Sequence, residues 1–478
     1  MAPVTIPRAT AALRPVCMLT HSYYEEDPRV RREAEALVCS GRPVEVFALR
    51  RDGDAPLGEV DGVRVHRMDV QRHQGAGLVR YLAEYLSFFA RASVAATKAH
   101  RRARFALVQI HTLPDFLVFA ALHFRLAGIP VILDLHEAMP EFFRMRFPRA
   151  SSDLVQRALH AQERAAIMAA DAAVTVNEAL AARLRALGVP SSKVTVVLNS
   201  PDLGRFDAAR FERRSFMADG TLRLAYAGAL TPTYEMDIAV DALAEIHAER
   251  PDLPLVLDVY GRGDAAEAWQ ERAEEHGLGD VVRFHGRIPI EDVPAALAGT
   301  DIGLAPTRRT EFTDYSLSTK IFEYGAMGKP VVATRLPLVE TTVPAGSIAT
   351  YEAGDARSMA AAILRLVDEP LEREARVAKT AGRVRERSWE TESRTYLALI
   401  EGLIRRRGTG ERAAFAASPG AAAHVADAEP AVHGVPDGLA EPPVIVAEPA
   451  AVADVAEPAA IADPKPPGAD SAAYAGPP

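Results

Sequence analysis

Short apolar segments alternate with longer amphipathic ones from about residue 14 to residue 405. Apolar runs of roughly four to eight residues followed by helical periodicity are typical of parallel strands covered by helices. The pattern predicts strands such as Val44–Leu49 and helices such as Pro28–Cys39, which Asp27 should cap and Gly41 should end. We therefore expect an α/β protein built on parallel sheets.

The alternation occurs as two series, which a linker beginning at Asn199-Ser-Pro201 separates. We expect a first domain at 14–205, a second domain at 206–388 and a closing helix at 389–407. Two domains also suit a chain of 478 residues, because a single core rarely grows to that length.

The composition changes after about Gly408, where Ala, Pro, Val and acidic residues dominate. Ala-Glu-Pro occurs four times, at 428–430, 440–442, 447–449 and 456–458. Such a segment has too little clustered apolar surface to offset the entropy of the chain. The sequence predicts that 408–478 is a disordered tail.

Charge and cysteine content exclude several classes of protein. Residues 413–478 hold nine acidic residues and one lysine, which is −8 of the net −9, so the rest is nearly neutral. No basic surface of the kind that binds nucleic acid is expected. Cys17 and Cys39 are expected to be buried, reduced thiols, and no Cys/His cluster has the spacing of metal ligands. Without a signal peptide or a run of about 18 apolar residues, we expect a cytoplasmic protein.

The segment from Asp314 to Thr334 carries the strongest chemical signal. It predicts a polar loop, a short helix with Lys320 and Glu323, a Gly328-Lys-Pro break and a buried strand. Backbone N–H groups and the helix dipole suit a phosphate at the start of such a helix. Lys320 can add a positive charge for a diphosphate, and Glu323, one turn later, can accept hydrogen bonds from ribose hydroxyls.

This segment resembles the donor-site signature of GT-B-fold retaining glycosyltransferases of the family 4 group, in the variant Ser-x-Lys-x-x-Glu-Tyr-x-x-x-Gly-Lys-Pro-Val. The resemblance implies the GT-B fold, in which two Rossmann-like domains face each other across a cleft. It implies a hexosyltransferase-type enzyme that uses a nucleotide-diphosphate sugar, retains the anomeric configuration and needs neither a metal nor another cofactor. The implied acceptor is a glycan or a lipid-linked molecule, since bacterial relatives mostly build surface polysaccharides or glycolipids.

Two other functions remain open. A nucleotide-sugar 2-epimerase shares the fold and the donor but needs acid/base carboxylates and no acceptor. A degenerate protein that only binds nucleotide sugars is the non-enzymatic alternative, because some family residues are replaced here.

Two histidines follow predicted strands of the first domain, at the sheet edge where ligands bind in open α/β folds. His111 lies in Gln109-Ile-His-Thr-Leu-Pro-Asp115, and His136 lies directly after strand 130–135. The resemblance implies that His136 hydrogen-bonds the transferred sugar, while a histidine that caps its own loop is the alternative. An acceptor-binding role and a structural role are both open for His111.

Three further polar residues are weaker candidates for acceptor binding. Glu137 can orient an acceptor or act as a base, although a solvated acidic loop explains it equally well. Asp27 and Arg29 open the first helix on the cleft side, where an arginine can bind phosphate and surface charge is the alternative.

Several residues of the second domain are candidates for donor binding. Gly228, by resemblance, lies against the donor, and Arg287 borders the nucleobase. The turn Gly261-Arg262-Gly263 lets backbone approach a ligand and offers Arg262 as a second cation, although a plain turn explains it equally well. Ser318 and Thr319 place their amides at the start of the signature helix.

The chain departs from the family pattern at three positions. Many members have an Arg and a Lys that bracket the diphosphate, where this chain has Ala229 and Tyr234. Tyr315 replaces the first glutamate of the Glu-x7-Glu motif, which ends here at Glu323. We therefore expect Lys320 to replace the missing cations and to be catalytic together with His136.

The helix predicted over Leu78–Lys98 is rich in apolar residues and is followed by His100-Arg-Arg-Ala-Arg104. An apolar helix beside a basic cluster can dock on anionic lipid, which makes peripheral membrane contact at the inner face of the plasma membrane one prediction. A helix packed into the core, with a solvated basic end, is the alternative.

Overall fold

Two sheets organise the part of the chain that the computed structural model describes, residues 13–70 and 77–407. The first sheet has eight strands and the second has six. Each carries helices on its two faces, so the predicted architecture of two Rossmann-like α/β domains is confirmed. The predicted tail at 408–478 lies outside the described residues.

The first sheet has the strand order β3-β4-β2-β1-β5-β6-β7-β8, and only β3 runs antiparallel to its neighbour. Its strands are β1 (Val16–Thr20), β2 (Val44–Leu49), β3 (Leu57–Val60), β4 (Val63–Met68), β5 (Leu107–His111), β6 (Val131–Leu135), β7 (Ala172–Thr175) and β8 (Val194–Val196). The helices are α1 (Pro28–Cys39), α2 (Leu78–Ala103), α3 (Leu122–Leu126), α4 (Met139–Arg146), α5 (Asp153–Ala169) and α6 (Glu178–Ala186).

The second sheet is parallel throughout and has the order β11-β10-β9-β12-β13-β14. Its strands are β9 (Leu222–Ala227), β10 (Leu255–Tyr260), β11 (Val282–Gly286), β12 (Ile302–Ala305), β13 (Val331–Thr334) and β14 (Ala349–Tyr351). The remaining helices are α7 (Met236–Glu249), α8 (Ala266–Glu275), α9 (Val293–Ala298), α10 (Thr319–Ala326), α11 (Pro337–Thr342), α12 (Ala356–Asp368), α13 (Pro370–Glu386) and α14 (Trp389–Arg407).

Alternating residues of β1 feed two separate cores. Cys17 and Leu19 face the core beneath α2, whereas Val16 and Met18 face the core beneath α1. The second of these cores includes Tyr396 and other side chains of α14, so the last described helix returns to the first domain. Among the described helices, none combines the length and apolar character that crossing a bilayer requires.

The strand register places the polar ends of three strands side by side. Thr20 of β1 pairs with His111 of β5, and His111 pairs with Asp134 of β6. Because the strands are parallel, all three residues lie at the carboxyl edge of the sheet, which the second domain faces.

Several sequence predictions need correction. Cys39 is exposed, whereas Cys17 is buried as expected. The apolar pattern predicts one helix over Asp115–Ala127, but Asp115–Ala121 is a 3-10 helix, which α3 then follows. The strand β3 and the helix α13 are not among the elements that the apolar pattern predicts, because β3 buries none of its four residues and α13 buries only Thr380 and Val384.

Candidate active site

A cluster of three polar side chains lies at the carboxyl edge of the first sheet. His136 Nε2 is 2.8 Å from Asp134 Oδ2, and His111 Nδ1 is 3.1 Å from the same oxygen. His111 and Asp134 are fully buried, whereas the side chain of His136 keeps 17% of its exposure. The loop of His136 is fixed by its backbone N–H, which donates to Thr112 Oγ1 at 3.1 Å. His136 is therefore the member of the cluster that solvent reaches.

Arg29 lies behind this cluster. Its Nε and Nη2 donate to the two oxygens of Asp134 at 2.9 and 2.8 Å, and Nη2 is 3.1 Å from Glu33. The arginine is 3% exposed and also donates to the carbonyl of Val197. Its acceptor-binding role was predicted from its place near a helix start, but in the structure its guanidinium is committed to Asp134.

Charge in this cluster is set by burial and by the partners of Asp134. Burial opposes the charge of Asp134, yet Arg29 and His136 hold the pKa of this carboxyl well below its usual range. Burial would lower the pKa of His136, but the charge and the hydrogen bond of Asp134 raise it. For His111, burial prevails and lowers the pKa. Asp134 thus favours the protonated form of His136, while burial favours the neutral form of His111.

The same three residues could also bind a divalent metal, since their ligand atoms all lie within 4.8 Å of one another. Two histidines and a carboxylate are a familiar transition-metal ligand set. Arg29 competes with that use, because its guanidinium already occupies both oxygens of Asp134. The sequence predicts a reaction that needs no metal. The structure nevertheless brings three possible metal ligands together, which their spacing in the sequence did not indicate.

The two other acceptor candidates of the first domain lie close to the cluster. Asp27 caps α1 as predicted, with Oδ1 accepting from the backbone N–H groups of Arg29 and Val30. Its second oxygen accepts from Ser22 Oγ at 2.8 Å. Glu137 is half-buried in the loop after β6. Acceptor binding by Asp27 and by Glu137 stays a prediction.

Lys320 lies in the first turn of α10, and aromatic rings hold its ammonium group. Nζ is 4.2 Å from the centre of the Tyr234 ring and 5.1 Å from that of Tyr226. A Cβ at Gly228 would lie 2.3 Å from Lys320 Cε, so glycine makes room for the lysine. Within the described residues Nζ has no hydrogen-bond or ion-pair partner, and the residue is 7% exposed. Its N–H donors are therefore available to an anion.

Glu323 and the start of α10 complete this side of the cleft. The carboxyl is half-buried, and burial raises its pKa against the opposing charges of Lys320 and Arg32. Ser318 occupies the N-cap position, but its side chain caps no N–H group, and Ser318 Oγ is buried without a partner among the described residues. Thr319 begins the helix. These groups lie together as predicted, while their contact with a donor stays a prediction.

The glycines after β10 have a structural reason of their own. A Cβ at Gly261 would lie 1.8 Å from the carbonyl oxygen of Gly228, and one at Gly263 would lie 1.9 Å from that of Leu230. Both glycines therefore allow the loop after β10 to contact the loop after β9. Arg262, between them, is exposed.

Arg287 and other side chains connect the two domains. Arg287 forms an ion pair with Glu26, and Arg31 forms one with Glu291 at 2.8 Å, so each domain contributes one arginine and one glutamate. Farther along the cleft, Arg144 Nη1 lies 2.6 Å from Glu311. The predicted contact of Arg287 with a nucleobase remains a prediction.

Asn177 and Tyr315 form a second kind of contact between the domains. Asn177 Nδ2 donates to the carbonyl oxygen of Tyr315 at 2.9 Å, and the guanidinium of Arg183 lies 5.9 Å from the Tyr315 ring centre. The position where the family pattern has a glutamate is thus occupied by a residue that contacts the first domain.

Sequence reasoning missed two participants. Asp134 is a charged residue inside the apolar strand 131–135, and that mismatch was a signal that it has a buried partner. Tyr234 stands where many family members have a cation, and in the structure its ring contacts Lys320, which the sequence alone does not indicate.

Comparisons with known proteins agree with this architecture. Residues 27–200 match the model of a glycosyl transferase 4-like domain, and residues 221–369 match that of glycosyl transferases group 1. The chain is 26% identical over 354 residues to a 2-deoxystreptamine glucosyltransferase of Streptomyces kanamyceticus, a match that covers 72% of this chain and 82% of that protein.

Two further similarities are informative. The chain is 29% identical over 222 residues to a GDP-mannose-dependent alpha-(1-6)-phosphatidylinositol monomannoside mannosyltransferase of Mycolicibacterium smegmatis, covering 45% of this chain and 57% of that one. The crystal structure of HepE from Anabaena in complex with UDP-glucose superposes with a TM-score of 0.61 at 15% identity, covering 81% of this chain and all of that chain. At that identity the structural match shows the fold alone.

Proposed function

The chain belongs to the GT-B glycosyltransferases that join a glycosyl transferase 4-like domain to a group 1 domain, and from that premise we propose the reaction it performs. It transfers a hexose from a nucleotide-diphosphate sugar to an acceptor, with retention of configuration and without a metal. The domains are proposed to divide at about residue 205, with the acceptor bound by the first and the donor by the second.

The observation that carries this proposal is the environment of Lys320. Its buried ammonium group contacts two aromatic rings and has no hydrogen-bond acceptor among the described residues. The acceptor that is missing is one that a bound anion can supply. The N-terminus of α10 and the unpartnered Ser318 Oγ lie in the same place. Positive charge, helix N–H groups and a free hydroxyl favour a diphosphate.

The remaining donor contacts follow from this placement. Glu323, one turn along α10 from Lys320, accepts hydrogen bonds from the ribose hydroxyls. Burial raises the pKa of its carboxyl, and hydrogen bonds donated by ribose hydroxyls favour the ionised form. The loops after β9 and β10 pack closely beside the lysine, because Gly228, Gly261 and Gly263 have no side chains. Arg262 is the second cation for the phosphates.

Charge develops in the reaction where Lys320 can offset it. As the glycosidic bond breaks, negative charge grows on the β-phosphate and the sugar becomes oxocarbenium-like. A cation and helix amides that are already oriented stabilise that phosphate without reorganisation. Removing one hydrogen-bond donor of this kind typically lowers the rate about a hundredfold to a thousandfold.

His136 is proposed to contact the transferred sugar. Its Nε2 is engaged by Asp134, and among the described residues its Nδ1 has no hydrogen-bond partner. The Asp134 contact fixes the ring and keeps a positive charge near the sugar. His111 and Arg29 hold Asp134 in turn, so we propose a positioning role for Arg29 and retain Asp27 and Glu137 as acceptor contacts.

Donor and acceptor classes are proposed from the relatives. UDP-glucose is bound by the structural neighbour HepE, and the relative from Mycolicibacterium smegmatis is named for a phosphatidylinositol mannoside. We propose a nucleotide-sugar donor and a glycan or lipid-linked acceptor for cell-surface polysaccharide or glycolipid synthesis. The reaction then takes place in the cytoplasm, at the inner face of the plasma membrane.

A panel of nucleotide sugars, incubated with and without lipid extract, tests this function. Nucleotide release that depends on the extract supports a transferase. A new nucleotide sugar without acceptor would indicate the epimerase, and binding without turnover would indicate the degenerate protein. The relatives named above are all transferases, so neither alternative gains support from them. A thermal-shift screen with UDP, GDP and ADP identifies the base, because a selective ligand stabilises the fold by mass action.

A further inference from the structure

Exposed apolar side chains are concentrated on one surface of the first domain. Among the large hydrophobic residues exposed in the described part of the chain, seven of eleven lie on α2, on the adjacent 3-10 helix or on α3. We call this the α2–α3 surface; its members are Val79, Leu82, Leu86, Val94, Phe119, Leu122 and Leu126. Hydrogen bonds hold its two segments together, from Ser93 Oγ to the carbonyl of Ala120 and between Thr97 Oγ1 and His123 Nε2.

The exposed apolar residues of α2 lie on a different face from the one by which the helix packs into the first domain. The opposite side of α2 buries Phe88, Ala92 and Ala96 in the core of the first domain. Leu82 and Leu86 are 46% and 59% exposed, on the side that points away from that core. The helix thus has one apolar face in the protein and a second one in solvent, which monomeric soluble surfaces rarely show.

Positive charge borders this surface. Five basic residues of α2 are exposed, namely Arg80, Arg91, Lys98, Arg101 and Arg102. Between residues 77 and 104 the only acidic residue is Glu84, which is buried, and between 116 and 133 there is none. At about 100° per residue, Arg80, Arg91 and Lys98 fall along one edge of the exposed apolar stripe. Apolar side chains edged by cations and free of carboxylates match the surface of an anionic bilayer.

The surface adjoins the cleft. Tyr81, in the first turns of α2, packs its ring 5.6 Å from that of Phe147, directly after α4. Arg146 at the end of α4 lies 5.9 Å from the Tyr81 ring. From the same helix, Phe142 reaches the second domain and contacts Phe312 at 5.6 Å between ring centres. A bilayer on the α2–α3 surface would therefore lie next to the opening of the cleft, beside the first domain, where the acceptor is proposed to bind.

We propose that the α2–α3 surface docks the protein peripherally on an anionic lipid bilayer, with Leu82 and Leu86 inserted among the lipids and the basic edge at the headgroups. The docked state brings a lipid-linked acceptor to the cleft from the membrane. This inference deepens the proposed location of the reaction, but it needs no sugar nucleotide. Vesicle binding therefore tests it separately from the donor site.

Flotation of the full chain with vesicles tests the proposal. Vesicles that mix phosphatidylglycerol with phosphatidylcholine are compared with vesicles of phosphatidylcholine alone. We expect binding to the anionic vesicles that falls steeply with added salt, because each basic residue at such a surface contributes about fivefold in affinity. We expect Leu82→Ser/Leu86→Ser to weaken binding at least about tenfold, since both apolar insertions are lost.

A matched control replaces exposed leucines elsewhere. Leu154 and Leu371 are 75% and 83% exposed and lie outside the surface, so Leu154→Ser/Leu371→Ser should bind like the wild type. The proposal is overturned if the chain ignores anionic vesicles or if both double variants bind equally well. Light scattering that shows a dimer broken by Leu82→Ser/Leu86→Ser would instead assign the surface to a second copy. Vesicle binding that appears only after removal of 408–478 would assign it to the tail.

Discussion

Lys320 Nζ lies 4.2 Å from the centre of the Tyr234 ring, a contact that fixes the ammonium group without using any of its N–H donors. Tyr226 contributes a second ring at 5.1 Å. Aromatic faces attract a cation by their quadrupole, so the lysine is held in place yet remains free to donate to phosphate oxygens. Tyr234, which stands where many family members have a cation, thus holds Lys320 in place.

This contact predicts different results for two substitutions of Tyr234. Tyr234→Leu should lower affinity for a nucleoside diphosphate by about two- to thirtyfold, the range of a cation–π contact of about 0.5–2 kcal/mol. Tyr234→Phe should retain wild-type affinity, because the ring face persists. Calorimetric titration with the nucleoside diphosphate that the thermal-shift screen selects, and with its nucleoside, checks this, and nucleoside affinity should not change. Equal loss in Phe and Leu variants would assign the effect to the hydroxyl group instead.

Asp134→Asn should destabilise the fold strongly. The substitution leaves Arg29 buried without its carboxylate, and breaking a buried pair in this way costs about 3–5 kcal/mol. Urea unfolding measures the loss. The exposed Asp264→Asn serves as the control and should change stability little. If both variants unfolded at the same urea concentration, the network around Asp134 would contribute nothing to stability.

His136→Ala should separate turnover from binding. Because His136 is proposed to contact the sugar and not the phosphates, turnover should fall by about a hundredfold while affinity for the nucleoside diphosphate stays near that of the wild type. Steady-state rates and titrations on the same preparation give both quantities. Equal losses in rate and affinity, or a marked fall in melting temperature, would indicate that His136 only supports its loop.

Glu33 predicts a specific dependence of stability on pH. This carboxyl is fully buried, and burial together with the charge of Asp134 raises its pKa to about 8, from 4.5 for an ordinary glutamate. Between these values the unfolded chain has released a proton that the folded chain still holds. The contribution of Glu33 to the free energy of unfolding is therefore greatest at acid pH and falls as pH rises through that window.

Glu33→Gln tests this contribution, because glutamine does not titrate. Urea unfolding at about pH 5 and about pH 9 should show a smaller loss of stability on raising the pH in Glu33→Gln than in the wild type. Glu178→Gln, at an exposed glutamate, should follow the wild type. An unchanged pH dependence in Glu33→Gln would mean that Glu33 is already ionised in the folded chain.

The sequence predicted features that depend on local chemistry. Helix α1 has the predicted bounds and the predicted Asp27 cap, because capping and apolar periodicity act over a few residues. The segment of Lys320 and Glu323 forms the expected loop, helix and buried strand for the same reason. In each case neighbouring residues hold the information.

Contacts between distant residues could not be predicted in this way. The partner of Arg29 is Asp134, 105 residues away, and only the sheet register brings them together. Arg287 pairs with Glu26 only because the two domains meet there. Helix α13 is rich in charges and buries only two side chains, Thr380 and Val384, so apolar residues gave little signal of its packing.

Affinity and turnover of Lys320→Ala test the central claim, that α10 binds the donor diphosphate, most directly. Losing a charge-assisted hydrogen bond should weaken binding of the nucleoside diphosphate by about ten- to a hundredfold and leave nucleoside binding unchanged. Turnover should fall further, since charge on the leaving phosphate rises in the transition state. The exposed Lys379→Ala should behave like the wild type. Wild-type diphosphate affinity and turnover in Lys320→Ala would place the donor site elsewhere and contradict the assignment.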